Sequence, residues 1–267
     1  MLFISPPFKN YIHLDRKTPV KESYTSNKRP RKSILFISPP FGNYINLENT
    51  TPIRGSFTLN KRPGKWMQIL KTLRYNTILG GWVNKIGLRN PGIDYAIKTY
   101  KKGEIISIAI LDEKEIKPIE ENIPKDMDIE LNVSCPNTDK HMINKGLKIF
   151  LNPKREWCII KLPPVHYHDD LDRYYKEGFR QFHLSNTLPV KEGGLSGPHL
   201  KTYSKRNIKY INNFYPNCTV IAGGGIRTFK DIDDYKELGA HHFSVSSLCF
   251  NPIMFGAFYF KYKYFSK

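Results

Sequence analysis

The chain has 267 residues, long enough to bury a large core and well suited to a single α/β barrel. Its 42 Lys and Arg against 24 Asp and Glu give a formal charge of +18, but the lysines are spread among Asn, Ile and Tyr throughout, which reads as a solvated basic surface rather than a nucleic-acid footprint. No run approaches the roughly 18 apolar residues of a membrane span, Pro6, Pro7 and Lys9 interrupt the apolar start that a signal peptide needs, and four dispersed cysteines without a CxxC pair argue against a zinc knuckle or iron–sulfur cluster and for a reducing, cytoplasmic setting.

A duplication opens the chain. Residues 2–30, LFISPPFKNYIHLDRKTPVKESYTSNKRP, return as residues 35–63, LFISPPFGNYINLENTTPIRGSFTLNKRP. Two copies do not make a solenoid, which needs at least three units to bury a continuous core. The second copy runs directly into KWMQILKTLRYN, so residues 1–33 are expected to be an extension that duplicates 34–63, and residues 34–267 to be the folded domain.

Eight apolar, β-branched runs follow as predicted strands: residues 34–38, 52–58, 104–111, 128–134, 157–162, 179–185, 218–223 and 241–247. Segments with helical spacing lie between many of them, such as DDLDRYYKEG, LKTYSKRNIKYINNFYP and FKDIDDYKELGA. The alternation predicts a parallel sheet closed as a (β/α)₈ TIM barrel. GNYINLENTT, between the first two strands, is too short for a good helix, so the barrel is expected to be trimmed at its start.

In such barrels the reactive groups stand just after the strands. Here those positions hold Asn132, Ser134, Cys135 and Asn137, then Lys161, then Ser185, Asn186 and Thr187, then Gly223, Gly224 and Gly225, and finally Ser246 and Ser247. Three glycines ahead of a helix let backbone N–H groups approach an anion, or they are a plain tight turn. The two serines at the next strand end tilt the balance towards a phosphate site. Lys161, if it points inward among apolar walls, needs an anionic partner. The loop GGWVNKIGLRNPGID offers Asn84, whose amide can read a ring edge of alternating N–H and C=O groups, whereas Asn90 before Pro91 is better read as a turn former. KEGGLSGPHLK suits packing against a planar ligand or is a mobile loop. His166 and His168 lack a third ligand, so no metal is expected.

ELNVSCPNT, with VNKIGLRNPG, IKLPP, HLSNT, GGLSGPHLK and AGGGI in the same order, resembles the dihydroorotate dehydrogenase family over most of residues 34–255. The cysteine in NVSCPN is similar to the cytosolic class. The resemblance implies an FMN-dependent barrel that oxidises dihydroorotate to orotate in de novo pyrimidine biosynthesis, with Cys135 as general base. It implies that Asn84, Asn132, Asn137, Asn186 and Thr187 contact the pyrimidine and that Lys161 stands beside the flavin ring. Gly223, Gly224, Gly225, Ser246 and Ser247 are implied to hold its phosphate, with Ser38, Arg54, Gly55, Ser56, Gly194, Ser196 and Gly197 as further cofactor contacts. Arg54 stands where the family has a lysine near the end of the second strand, and the first copy carries Lys21 there. The acceptor of the electrons is either fumarate or a separate reductase subunit, and family habit implies a homodimer. Two other readings stay open: a dihydrouridine synthase-like enzyme acting on RNA, which the basic charge suits, and a catalytically inactive flavin-binding barrel.

Overall fold

A computed structural model describes residues 33–133, 145–165 and 168–265. Within them the strands in chain order are β1 Leu35–Ile37, β2 Thr50–Phe57, β3 Arg74–Asn76, β4 Gly81–Asn84, β5 Ile105–Ala109, β6 Ile129–Asn132, β7 Cys158–Leu162, β8 Gln181–Leu184, β9 Leu188–Val190, β10 Gly193–Ser196, β11 Thr219–Ala222 and β12 His242–Val245. The helices are α1 Lys65–Thr72, α2 Ile93–Lys98, α3 Ile116–Asn122, α4 His168–Glu177, α5 Leu200–Phe214, α6 Phe229–Glu237 and α7 Pro252–Phe265.

Strands β1, β2, β5, β6, β7, β8, β11 and β12 pair in that order, and β12 closes on β1. All these pairings are parallel, and each strand overlaps one of the eight predicted runs. A 3-10 turn at Phe41–Asn43 is all that joins β1 to β2, as the short linker predicts.

The side-chain alternation of a strand, period two, sorts the barrel into an outer and an inner set. Ile106, Ile108, Ile129, Leu131, Ile160, Leu162, Phe182 and Leu184 belong to the large cluster shared with the helices. Their neighbours Ser107, Glu130, Lys161 and His183 therefore point into the barrel. Towards the N-terminal ends of the strands the interior is an apolar floor of Phe36, Ile53, Ile105, Trp157, Ile159 and Ile221, with His242 set edge-on against Phe36 and Trp157.

The segments around Asn84 and Gly194, read above as loops, are paired. They form an antiparallel sheet in the order β3-β4-β10-β9, with Trp82 opposite Ser196, Val83 opposite Leu195 and Asn84 opposite Gly194. This sheet lies at the mouth of the barrel, because Trp82, Asn84 and Ser196 line the same cavity as the strand ends.

The second copy of the duplication supplies β1 and β2, and two of its glycines are tied to that place. A Cβ at Gly42 would overlap the carbonyl oxygens of Ile37 and Ile53, and one at Gly55, where φ is +125°, would stand 2.5 Å from the Ser107 carbonyl oxygen. The matching residues of the first copy are Lys9 and Glu22. Those side chains do not fit the slot that the second copy occupies.

Candidate active site

One carboxylate organises the inner polar layer. Glu130 has no solvent exposure, and Ser107 Oγ donates to its Oε1 at 2.8 Å. Lys161 Nζ stands 3.5 Å from the same oxygen, and His183 Nδ1 is 2.5 Å from Oε2. Burial pushes the Glu130 carboxyl up, but the Lys161 charge, His183 and the hydrogen bonds from His183 and Ser107 outweigh it and bring it down to about 2. Glu130 is therefore an anion, and it answers the demand for a partner that Lys161 makes. Burial pushes His183 in the opposite direction, below its ordinary value, against the pull of Glu130. A neutral His183 donates Nδ1–H to the carboxylate and leaves Nε2 as an acceptor.

The polar layer continues upward. Ser56 Oγ lies 2.9 Å from Ser107 Oγ, Asn132 Nδ2 donates to Ser56 Oγ at 2.9 Å, and Asn186 Nδ2 donates to Asn132 Oδ1 at 3.0 Å. Asn132 and Asn186 are so oriented by groups beneath them, and Thr187 N–H is taken by Asn186 Oδ1 at 2.9 Å. Above opens a cavity walled by Lys161, His183, Asn186, Thr187, Asn84 and Gly223–Gly225 among others. Trp82 and Phe250, stacked at 4.4 Å between ring centroids, give it a flat apolar side.

Gly224 and Gly225 follow β11 with φ of +81° and +85°. Among the described residues no hydrogen bond takes the N–H of either, so two backbone donors at the cavity wall are free for an anion. The helix that follows does not share in this. Thr228 and Asp231 form a capping box on α6, and Asp231 Oδ2 accepts from the N–H groups of Arg227 and Thr228 at 2.8 and 2.9 Å. The N-terminus of α6 is thus filled by its own carboxylate, and the N–H groups left open are those of the glycine turn before it. Ser246 and Ser247 line the same cavity, with Ser246 Oγ donating to the Pro39 carbonyl at 2.8 Å.

No family model matches the chain. Over 210 residues it is 29% identical to a protein of Oceanobacillus iheyensis named dihydroorotate dehydrogenase B (NAD(+)), catalytic subunit, an alignment that spans 65% of this chain and 69% of that one. The protein of the same name from Thermotoga petrophila is 28% identical over 200 residues, 63% of this chain and 72% of the relative. The chain is a relative of the dihydroorotate dehydrogenases. Among solved structures, ligand-free DHODH from Eimeria tenella matches 82% of this chain and 80% of its own with a TM-score of 0.63 at 16% identity, and the complex of that DHODH with ferulenol matches 76% and 71% with a TM-score of 0.57 at 18% identity. These two share the barrel fold.

For this dihydroorotate dehydrogenase relative the expected site residues divide into three groups. Lys161, Asn84, Asn186, Thr187, Ser38, Ser196, Gly223, Gly224, Gly225, Ser246 and Ser247 stand together on the cavity wall, and Asn132 and Ser56 lie in the hydrogen-bonded layer that carries Asn186. Cys135 and Asn137 lie outside the described residues, as does Lys21; Val133 is the last described residue before them.

A third group needs correction. Arg54 follows the inward-facing Ile53, so it points out of the barrel, where Nη1 binds the Thr99 carbonyl at 2.8 Å and Glu104 Oε2 at 2.9 Å, and Nη2 binds Thr99 Oγ1 at 2.8 Å. Its guanidinium serves the fold and is not a cofactor contact. Gly55 is clamped through its own N–H and C=O by the Asn43 side chain at 3.0 and 3.2 Å. Gly194 pairs with Asn84 in the small sheet, Gly197 follows that strand against Gly81, and neither is on the wall of this cavity.

Glu130, Ser107 and His183 are absent from the sequence reading. The signal for them was present: IELN and QFHL each alternate apolar with polar, so Glu130 shares a face with Asn132, and His183 faces away from Phe182 and Leu184. Asn90 is the turn former expected, accepting from Thr58 and Gly92 N–H and donating to Thr58 Oγ1 and the Leu88 carbonyl. Cys158 and Cys218 are buried, and burial pushes both thiols up to about 12, which leaves them inert; Cys249 is the same.

Proposed function

We propose that this chain oxidises dihydroorotate to orotate, the redox step of de novo pyrimidine biosynthesis, with FMN as its bound cofactor. The observation that carries the reading is the cavity of a dihydroorotate dehydrogenase relative whose wall holds two glycines with N–H groups unbonded among the described residues, together with Lys161 of the buried Lys161–Glu130 pair. The donor set fits the cofactor: Gly224, Gly225 and Ser247 offer N–H and hydroxyl groups to a phosphate, with Ser246 on the same wall; Trp82 and Phe250 offer a flat wall, and Lys161 offers a fixed positive charge beside the ring. FMN, when bound, supplies the acceptor for the electron pair.

The other roles fall to the chain itself. Dihydroorotate loses a proton from C5 and a hydride from C6. Cys135 takes the proton as thiolate, the few per cent present near neutrality being enough for general-base work. Asn132, Asn186, Thr187 and Asn84 hold the pyrimidine edge, and Asn137 joins them. The names of the relatives pair NAD(+) with a catalytic subunit, which favours passing the electrons to a second, electron-handling protein over direct use of fumarate. Among the described residues no helix is long and apolar enough to cross a membrane; a cytoplasmic homodimer belongs to the same proposal, with size-exclusion chromatography as its test.

Anaerobic addition of dihydroorotate to the purified protein tests the reading. The flavin absorbance is expected to bleach, with orotate formed in equal amount. A colourless protein that cannot be reconstituted with FMN overturns it, and a flavoprotein that dihydroorotate leaves oxidised supports the inactive-barrel alternative.

A further inference from the structure

His183 has one nitrogen occupied and one aimed at the cavity. Nδ1 is held by Glu130 Oε2 at 2.5 Å, while no hydrogen bond among the described residues reaches Nε2. The residue is 2% exposed and lines the cavity, so the little of it that is open, Nε2 without a partner among the described residues, is open to the cavity. The neighbouring position keeps it open. A Cβ at Gly223 would stand 3.1 Å from Nε2, and the glycine leaves that space clear. Because the ionised Glu130 takes the Nδ1 proton, Nε2 presents a lone pair to the cavity, an acceptor placed for a ligand donor.

Lys161 makes the complementary half. Its ammonium, a donor only, stands at the other oxygen of the same carboxylate and on the same cavity wall. One donor and one acceptor fixed on a single carboxylate match a C=O and an adjacent N–H, the edge of a uracil-type ring. An oxidised isoalloxazine carries one such N–H between two carbonyls, and dihydroorotate carries the same arrangement.

We propose that His183 Nε2 accepts the ring N–H of the pyrimidine-type edge bound in this cavity, with Lys161 taking the neighbouring carbonyl and Glu130 fixing the tautomer that makes this possible. The inference rests on the flavin and dihydroorotate reading above and adds a recognition residue to it.

Two isosteric variants separate this role from a structural one. Asn at this position places its amide where Nδ1 was, keeping a donor for Glu130 and losing the cavity acceptor; Gln places its carbonyl where Nε2 was, keeping the acceptor and losing the bond to Glu130. His183→Asn is expected to weaken ligand binding at least about tenfold and His183→Gln to stay within about threefold of the original protein. FMN affinity of the apoprotein and orotate affinity of the flavoprotein are titrated separately. A loss confined to FMN assigns the edge to the cofactor, and a loss confined to orotate assigns it to the substrate. If Asn is tolerated for both ligands, His183 serves Glu130 alone and the inference fails while the functional reading stands. If the unaltered protein binds neither FMN nor orotate, the functional reading fails first. Should either variant fold poorly, the ¹⁵N signal of Nε2 in the unaltered protein decides: it is expected to move from its pyridine-type position when ligand is added, and a fixed signal overturns the proposal.

Discussion

Glu130 holds an ammonium, an imidazole and a hydroxyl with two oxygens inside a barrel, so its charge can be neither solvated nor spared. Replacing it by Gln leaves the Lys161 charge buried without its anion, a loss on the order of 3–5 kcal/mol that urea unfolding would register. The same group sets part of the acid response. Its folded pKa of about 2 lies below the ordinary 4.5, so its stabilising contribution is complete above about 4.5 and disappears as the pH falls towards 2. His242 adds an earlier step. Burial holds it down to about 4 against an ordinary 6.5; the unfolded chain takes up the proton first, and its contribution is complete above about 6.5 and lost as the pH falls to 4. Melting temperature against pH is therefore expected to decline in two stages, and His242→Phe to diminish the upper one, to which the buried His183 also contributes. Cys135→Ala is expected to retain FMN, because the proposed phosphate site lies on other strands, and to slow flavin reduction by dihydroorotate about 10²-fold or more. Stopped-flow measurement at equal flavin concentration checks this, and an unchanged rate constant removes Cys135 from the mechanism.

At the scale of the element, the turn between β11 and α6 illustrates how a motif can be right in composition and misread in geometry. The three glycines were legible as an anion cradle, but the helix N-terminus behind them is consumed by the Thr228 and Asp231 capping box. Thr228→Ala should cost about 1 kcal/mol of stability and leave FMN content alone. Gly224→Val should do the reverse of sparing the site: the φ of +81° and contacts at 2.8 Å to Ser204 Oγ and 2.9 Å to Leu200 Cβ place its branch inside the protein. A loss of roughly 2–4 kcal/mol and of bound flavin is expected, whereas a stable Gly224→Val variant with full flavin content would place the cradle elsewhere. The eight barrel strands were readable because each is a short β-branched run set between helical spacing or turn signals. The small antiparallel sheet was not, since β4 and β10 carry glycines in place of a hydrophobic pattern and lie 110 residues apart at the pair Asn84 and Gly194. Arg54 was misplaced because identity was weighed without the strand's parity; Ile53 on the barrel floor already decides which way Arg54 points.

For the whole molecule, the duplication is the unusual feature. Deleting residues 1–32 is expected to leave folding and flavin content intact, because β1 and β2 come from the second copy; loss of folded, flavin-loaded protein would show that the first copy is required. Gly42→Lys or Gly55→Glu, which write the first copy's residues into the second, should each prevent the barrel from closing, as circular dichroism and flavin content would report. The overlap of a side chain at Gly42 with the Ile37 and Ile53 carbonyl oxygens then has a consequence for how the chain assembles. A near-copy tethered within a few tens of residues of its twin is a competitor for the same place at an effective concentration on the order of millimolar. Its first residues, LFISPPF, are identical to those of the segment it would displace, so that stretch gives no preference between them. Discrimination then rests on two missing side chains, and the same two contacts bar the first copy of a neighbouring molecule as firmly as the chain's own.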